Sequence, residues 1–297
     1  MKISVSILFF FFSIGIHAQT QTMKAWGWQQ LDTVYLVCQY KYSQYNYVAN
    51  VQTAETTRLE VGKRLSKFYS YSTFEHDSLC STPDGKQLIN QRFNEALKQS
   101  AQTSRKEDKM KVLLMGIPSR ASEYMIYKNY PENGKMLVQD AASHEYYKYI
   151  EDDIQKLQSW EIAEDTMTII GYSCQKATCK WRGRKYTAWF TLDIPISDGP
   201  YKFCGLPGLI MKVEDSKQLY CFEIQGIRKT DNEGIFLAEP REDNVGGYKD
   251  VDRKEIIAKQ AKSLKNVVRK LNRDMQQLGK SERISEDVVD AMERDYK

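Results

Sequence analysis

The stretch Gly205-Leu206-Pro207-Gly208-Leu209-Ile210 combines two glycines and a proline with three large apolar residues in six positions. Glycine adopts backbone angles that other residues avoid, and proline fixes φ and lacks an amide donor, so these residues interrupt strand pairing. The apolar residues between them supply side chains for a core. We therefore predict a buried corner between two β-strands. A ligand- or partner-binding loop built on the same glycines is the alternative, because loops on rigid sheets often carry function.

Outward from this corner, short runs of alternating or β-branched and aromatic residues predict β-strands. The clearest run is 33–42, in which one face is formed by Val34, Leu36, Cys38, Tyr40 and Tyr42. The other predicted strands are 57–61, 67–72, 123–127, 135–139, 145–150, 166–180, 185–193, 208–214 and 218–227. Turn residues such as Asn133-Gly134 and Gly183 join several of them, which indicates an antiparallel meander.

Two segments have helical spacing instead, residues 83–103 and residues 255–278, and a shorter helix is predicted from Ser285. The second segment has an apolar stripe formed by Ile257, Ala261, Leu264, Val268, Leu271, Met275 and Leu278. Its polar side carries the basic residues Lys262, Lys265, Arg269 and Arg273. We expect the stripe to pack on the protein's own sheet, since most amphipathic helices face a core. A partner helix or an anionic membrane surface is the alternative target.

These elements predict a mainly β protein with helices, of the α+β class. Its core is a curved antiparallel sheet with a helical cover and C-terminal helices, and by analogy of layout it resembles a half-open barrel. The predicted organisation is a signal peptide at 1–18, a β domain at 19–250 and a helical segment at 251–297 packed on that domain.

The amino terminus has the pattern of a secretory signal peptide. Lys2 precedes an apolar run at 3–16, which is short for a membrane-spanning helix, and Ala18 is a small residue at the expected cleavage position. Cleavage there lowers the formal charge from +4 to +3. A charge so close to neutral argues against nucleic-acid binding, for which a basic domain is expected. We therefore expect an exported protein of the periplasm or outer membrane.

Several motifs around the corner carry a family resemblance. They are Trp181-Arg182-Gly183-Arg184, Ala188-Trp189-Phe190-Thr191, Asp193-Ile194-Pro195-Ile196, Gly199-Pro200-Tyr201-Lys202-Phe203 and the stretch 205–210 itself. With them, the chain resembles the GLPGLI family of exported Bacteroidetes proteins, over residues 31–230. That family has no established activity, so the resemblance implies export and no particular chemistry.

Export favours disulfides, because thiols are oxidised outside the cytoplasm. The candidate partners are the six cysteines Cys38, Cys80, Cys174, Cys179, Cys204 and Cys221. Cys174 and Cys179 are too far apart along an extended strand to bridge each other. A thiol enzyme is the alternative, but the sequence has no Cys-x-x-Cys motif.

The sequence offers little for other chemistry. The mature chain has two histidines, His76 and His144, in no metal-ligand spacing, so we expect no metal and no cofactor. Ser173 lies in a motif that lacks the second glycine of a hydrolase elbow, at Gln175. We therefore expect a non-enzymatic binding or accessory protein, with an apolar ligand or an envelope protein as partner. The alternatives are an exported hydrolase or thiol enzyme, with Glu161, Asp165, Asp193 or a free cysteine as candidates, and a structural component of the cell envelope.

Overall fold

The computed structural model describes residues 23–46, 51–102, 121–142, 145–239, 246–277 and 292–295. Its strands, in chain order, are β1 (Gln29–Asn46), β2 (Val51–Gly62), β3 (Ser66–Ser70), β4 (Met125–Lys128), β5 (Met136–Ala142), β6 (Glu145–Glu151), β7 (Glu161–Ile169), β8 (Tyr172–Trp181), β9 (Arg184–Thr191), β10 (Leu209–Asp215), β11 (Tyr220–Leu237) and β12 (Lys249–Asp250). The helices are α1 (Tyr71–Cys80), α2 (Pro83–Gln102) and α3 (Arg253–Gln277). The predicted signal peptide, His144, Leu278 and the helix from Ser285 lie outside these residues.

All of these strands belong to one sheet with the order β12-β6-β5-β4-β3-β2-β1-β11-β10-β9-β8-β7. The 18-residue strands β1 and β11 pair with each other at its middle. A first arm, β2 to β6 with β12, extends from β1, and a second arm, β10 back to β7, extends from β11. The sheet curves without closing, so the predicted α+β class and curved sheet are confirmed. One pairing departs from the antiparallel prediction, because β12 runs parallel to β6.

The core lies on one face of β1, as the alternation predicts for Leu36, Cys38, Tyr40 and Tyr42, which are all buried. Val34 departs from the prediction because both pairings of β1 have a register shift between Val34 and Leu36. The shift turns Val34 into a separate cluster with Val37, Leu65 and Ile235. A β-bulge of this kind re-aims side chains and cannot be read from alternation alone.

The predicted long strand 166–180 is wrong. A two-residue turn at Ile170-Gly171 divides it, and Ile169 pairs with Tyr172 across the turn. Both turn residues have positive φ, 42° for Ile170 and 87° for Gly171. A β-branched residue rarely adopts such an angle, so a hairpin at Ile170 is hard to predict from residue types.

Helix α1 was not predicted either, since residues 67–72 read as a strand. β3 ends at Ser70, whose hydroxyl accepts a hydrogen bond from the amide of Thr73 at 3.2 Å and caps the helix. α1 has two buried residues, Thr73 and Phe74, and no continuous apolar stripe, so helical periodicity is absent from its sequence. α2 follows the prediction closely.

The C-terminal helix α3 packs on the first arm, as expected for its apolar stripe, but only part of the predicted stripe faces the sheet. Ile257, Ala261 and Val268 are buried, whereas Leu264 is 40% exposed. The Gln260 amide donates to Asp140 at 2.9 Å and to the Ala141 carbonyl at 3.0 Å, which fixes the helix on β5. Of the basic residues, Lys262, Arg269 and Arg273 are exposed and Lys265 is half-buried. No helix among the described residues is long and apolar enough to cross a membrane.

Candidate functional site

Residues 192–208 join β9 to β10 and are called the signature loop here. The loop is a corner in the core, because Phe203, Cys204 and Leu206 are at most 1% exposed. Gly208 has no room for a side chain, since a Cβ there would lie 1.9 Å from the Thr191 carbonyl oxygen. Gly205 has φ of +89°, an angle that favours glycine. Glycine is therefore required at 208 by the close approach of the backbone and at 205 by the positive φ.

A buried loop must satisfy its backbone polar groups, and side chains from other elements do so here. Just after the loop, the Tyr40 hydroxyl of β1 donates to the Ile210 carbonyl of β10 at 2.7 Å. The Trp160 indole donates to the Cys204 carbonyl at 2.8 Å, and the Gln158 amide to the Lys202 carbonyl at 3.2 Å. These bonds hold the loop against the strands and the β6–β7 connection, so its backbone has little freedom to adapt to a ligand.

A buried lysine of the first arm also holds the signature loop. Lys128 at the end of β4 donates to Asp198 at 2.5 Å, to the Gly199 carbonyl at 2.6 Å and to the Phe203 carbonyl at 3.0 Å. The Ser66 hydroxyl donates to the other oxygen of Asp198 at 2.5 Å. Every donor of the ammonium is occupied, so this lysine acts as a structural clamp between the two arms.

A second polar cluster surrounds the carboxylate of Glu293, which is 2% exposed. Lys202 of the signature loop and Arg182 of the β8–β9 turn both pair with it. Arg253 at the start of α3 donates to it at 2.7 Å, and the Tyr201 hydroxyl at 2.8 Å. We call Arg182, Tyr201, Lys202 and Arg253 the carboxylate site.

The carboxylate site lies where the two arms meet. Glu151 at the end of β6 pairs with Arg182 of the second arm and with Lys202 at 2.8 Å. The Tyr149 hydroxyl of β6 accepts a hydrogen bond from Lys202 at 2.7 Å. The two arms thus contact each other here through ion pairs, and in the described part of the sheet no strand of β2–β6 is hydrogen-bonded to a strand of β7–β10. The same ion pairs connect the sheet, the signature loop, α3 and the C-terminal residues 292–295.

The electrostatics of the site favour the charged forms of its members. Burial opposes the charge on Glu293, but Lys202 and Arg182 outweigh it and lower the pKa of Glu293 to about 2. Burial likewise opposes the charge on Lys202, yet Glu293, Tyr149 and Glu151 raise the pKa of Lys202 above its usual value. Charge-assisted hydrogen bonds of this kind are about twice as strong as neutral ones. The cluster is suited to holding an anion.

The six predicted disulfide cysteines are all unpaired in the structure. Cys38, Cys174, Cys179 and Cys204 are buried, while Cys80 and Cys221 are half-buried. Burial raises the pKa of the Cys179 and Cys204 thiols to about 12 and that of Cys221 to about 11. Since the thiolate is the nucleophile, these three cysteines are poor candidates for thiol catalysis.

Cys80 contacts a histidine on the same helix. It lies one turn after His76 on α1, and its sulfur is 3.7 Å from Nε2 of that histidine. Nδ1 of His76 is 3.0 Å from Asp77. The spacing of four residues on a helix could have revealed this contact, had α1 been predicted.

The structure does not assemble a site from the other candidate residues. Glu161, Asp165 and Asp193 are exposed on the second arm, and Asp165 pairs with Lys176 at 3.5 Å. Ser173 is an exposed residue of β8, paired with Thr168, and is not at the apex of a strand-to-helix turn.

Comparison with known proteins gives limited information. A family model described as a protein of unknown function (Porph_ging) matches residues 181–212, a segment that contains the whole 205–210 stretch. No curated protein matches the sequence at a significant level. Two solved structures of a protein called PNGF-II, in the P21 and C2 space groups, are similar with a TM-score of 0.45 and 13% and 14% identity. They cover 78% of this chain, which spans 34% and 33% of theirs. So distant a likeness says nothing about what this chain binds or does.

Proposed function

We propose that this chain is an exported, non-enzymatic binding or accessory protein of the periplasm or outer membrane, of the GLPGLI type. The carboxylate site is the single observation that carries the binding function. Three cations from separate parts of the chain converge there on a carboxylate supplied by a segment outside the sheet. The 181–212 family match and the amino-terminal pattern support the family and the export.

The resident carboxylate supports an anionic ligand for the site. Arg182, Lys202 and Arg253 are 11%, 0% and 14% exposed in their side chains, so their charges are largely removed from water. Buried cations are costly unless an anion and hydrogen bonds compensate them. A carboxylate in this position is therefore bound by the site and is not merely adjacent to it.

Native mass spectrometry of the protein isolated from the cell envelope tests the proposal. We expect a chain that begins at Gln19 and, in a fraction of the molecules, a non-covalent companion that is lost on denaturation. Arg253→Gln should reduce that fraction, whereas Lys262→Gln, an exposed lysine on the same helix, should not. Recovery of the full chain from the cytoplasm with Met1 would refute export. An envelope chain without any companion would refute the binding function.

A thiol enzyme at Cys80 is the second candidate, because its sulfur contacts His76. It ranks second since its support is this one contact between neighbouring turns of a short helix. Alkylation rates test it. The enzyme would be favoured if Cys80 reacts with iodoacetamide as fast at pH 6 as at pH 9, and if His76→Ala slows that reaction. A rate that rises with pH alike in both proteins would exclude it.

A further inference from the structure

Residues 292–295 occupy the carboxylate site as a bound peptide would. Met292 packs against the aromatic core, and its carbonyl accepts a hydrogen bond from the Tyr186 hydroxyl at 2.9 Å. The Arg294 amide donates to the Arg182 carbonyl at 2.9 Å. Extended peptides are recognised through main-chain hydrogen bonds and side-chain pockets, and this segment uses both, with Met292 and Glu293 as the side chains held.

The charges of the site are unbalanced without this segment. Arg182 and Lys202 would then share one buried carboxylate, Glu151, and Arg253 would keep no ion pair among the described residues. With the segment in place, Glu293 is added inside the site and Asp295 pairs with Arg253 at 2.6 Å. Arg182, Lys202 and Arg253 thus require a further anion. A carboxylate from another chain, placed among the same neighbours, can take that role.

We infer that the carboxylate site recognises a peptide segment of a partner protein in which a large apolar residue is followed by glutamate, and that residues 292–295 are the chain's own competitor for it. This inference rests on the proposed binding function and names its ligand class. The apolar residue replaces Met292 beside Tyr42 and Tyr186, and the glutamate replaces Glu293 between Lys202 and Arg253. Because the tail is attached to the same chain, it raises the partner concentration that binding requires. Only a segment presented at high local concentration therefore displaces it.

The test uses a fluorescent peptide of residues 288–297, Val-Val-Asp-Ala-Met-Glu-Arg-Asp-Tyr-Lys, added to the full mature chain. Glu293→Lys in the protein places a cation among three cations and should release the tail. Fluorescence anisotropy should then show at least tenfold tighter peptide binding to Glu293→Lys than to the wild type. Adding Arg253→Ala to Glu293→Lys should weaken binding at least tenfold. A control peptide with lysine in place of the glutamate should bind neither protein.

Glu293→Gln provides a milder variant if Glu293→Lys does not fold, and it should bind the peptide more tightly than the wild type. Equal affinity of the wild type and both variants, or binding that ignores Arg253→Ala, would overturn the inference. So would a wild-type dimer that Glu293→Lys converts to a monomer in analytical ultracentrifugation, because the occupant would then be the tail of a second copy. Failure of peptide binding in an envelope protein that retains a companion would refute this ligand class and leave the binding function in place.

Discussion

Replacing Lys202 with methionine removes the cation at the centre of the carboxylate site. Lys202 is fully buried, and its ammonium lies 2.8 Å from Glu151 and contacts Glu293 and the Tyr149 hydroxyl. Methionine has a similar length and no charge, so the substitution leaves two buried carboxylates with Arg182 and Arg253 as their remaining cations. Breaking a buried ion pair by removing one partner costs about 3–5 kcal/mol.

The loss should appear as a lower melting temperature. For a domain of this size, 1 kcal/mol corresponds to about 2–4 °C, so we expect Tm to fall by about 6–20 °C. Circular dichroism measures Tm when the protein is heated and the free energy of unfolding when urea is added. Lys262→Met is the matched control, because that lysine is exposed on α3 and should change stability by less than about 0.5 kcal/mol.

A double-mutant cycle separates the ion pair from loss of packing. If Lys202 and Glu293 interact directly, Lys202→Met with Glu293→Gln should cost less than the two single changes added together, by about 0.5–3 kcal/mol. A Lys202→Met protein as stable as the wild type would refute this reasoning, and so would strictly additive effects. Either result would mean that Glu293 does not occupy the site in solution.

Three further predictions concern the corner, the helix and the cysteines. Gly208→Ala should destabilise by more than about 2 kcal/mol, because its Cβ would meet the Thr191 carbonyl, whereas Gly226→Ala, with open space around it, should change urea unfolding far less. Val268→Asp should lower Tm strongly since Val268 is 0% exposed, and Leu264→Asp should leave it almost unchanged since Leu264 is 40% exposed; equal effects would refute the placement of α3. Alkylation of the denatured, unreduced protein should modify six thiols by mass, as the unpaired cysteines of the structure require, and a shortfall of two would show a disulfide.

The corner could be predicted from sequence because its physics is local. Gly205, Pro207 and Gly208 interrupt strand pairing wherever they occur, and the apolar residues beside them need a core. The strands were predicted from local patterns too. Those predictions are wrong at the Ile170-Gly171 turn and at helix α1, where the residue types alone favour a strand. The bulge after Val34 depends on pairing with two neighbouring strands, which periodicity along one strand does not contain.

The carboxylate site depends on contacts between distant parts of the chain. Lys202 and Glu293 are separated by 91 positions, and no motif spans that distance. One signal was nevertheless present, a lysine three positions before the stretch 205–210 that is predicted to be a buried corner. Lysine is almost never fully buried unless it is paired, so Lys202 required a carboxylate from elsewhere in the fold. The sequence alone could not say which one.

The ionisation of Glu293 tests the central claim most directly, because it reports whether this carboxylate lies among the three cations. Carbon-detected NMR of labelled glutamate carboxyls can follow it, with Glu293→Gln identifying the signal. The structure predicts a pKa of about 2, so Glu293 should remain largely ionised at about pH 3.5. Because the folded pKa is lowered, its contribution to stability should be complete above about pH 4.5 and lost as the pH falls toward 2. A Glu293 signal with a midpoint near the ordinary value of 4.5 would contradict the account, since the carboxylate would then lie in water and the site would hold no tail.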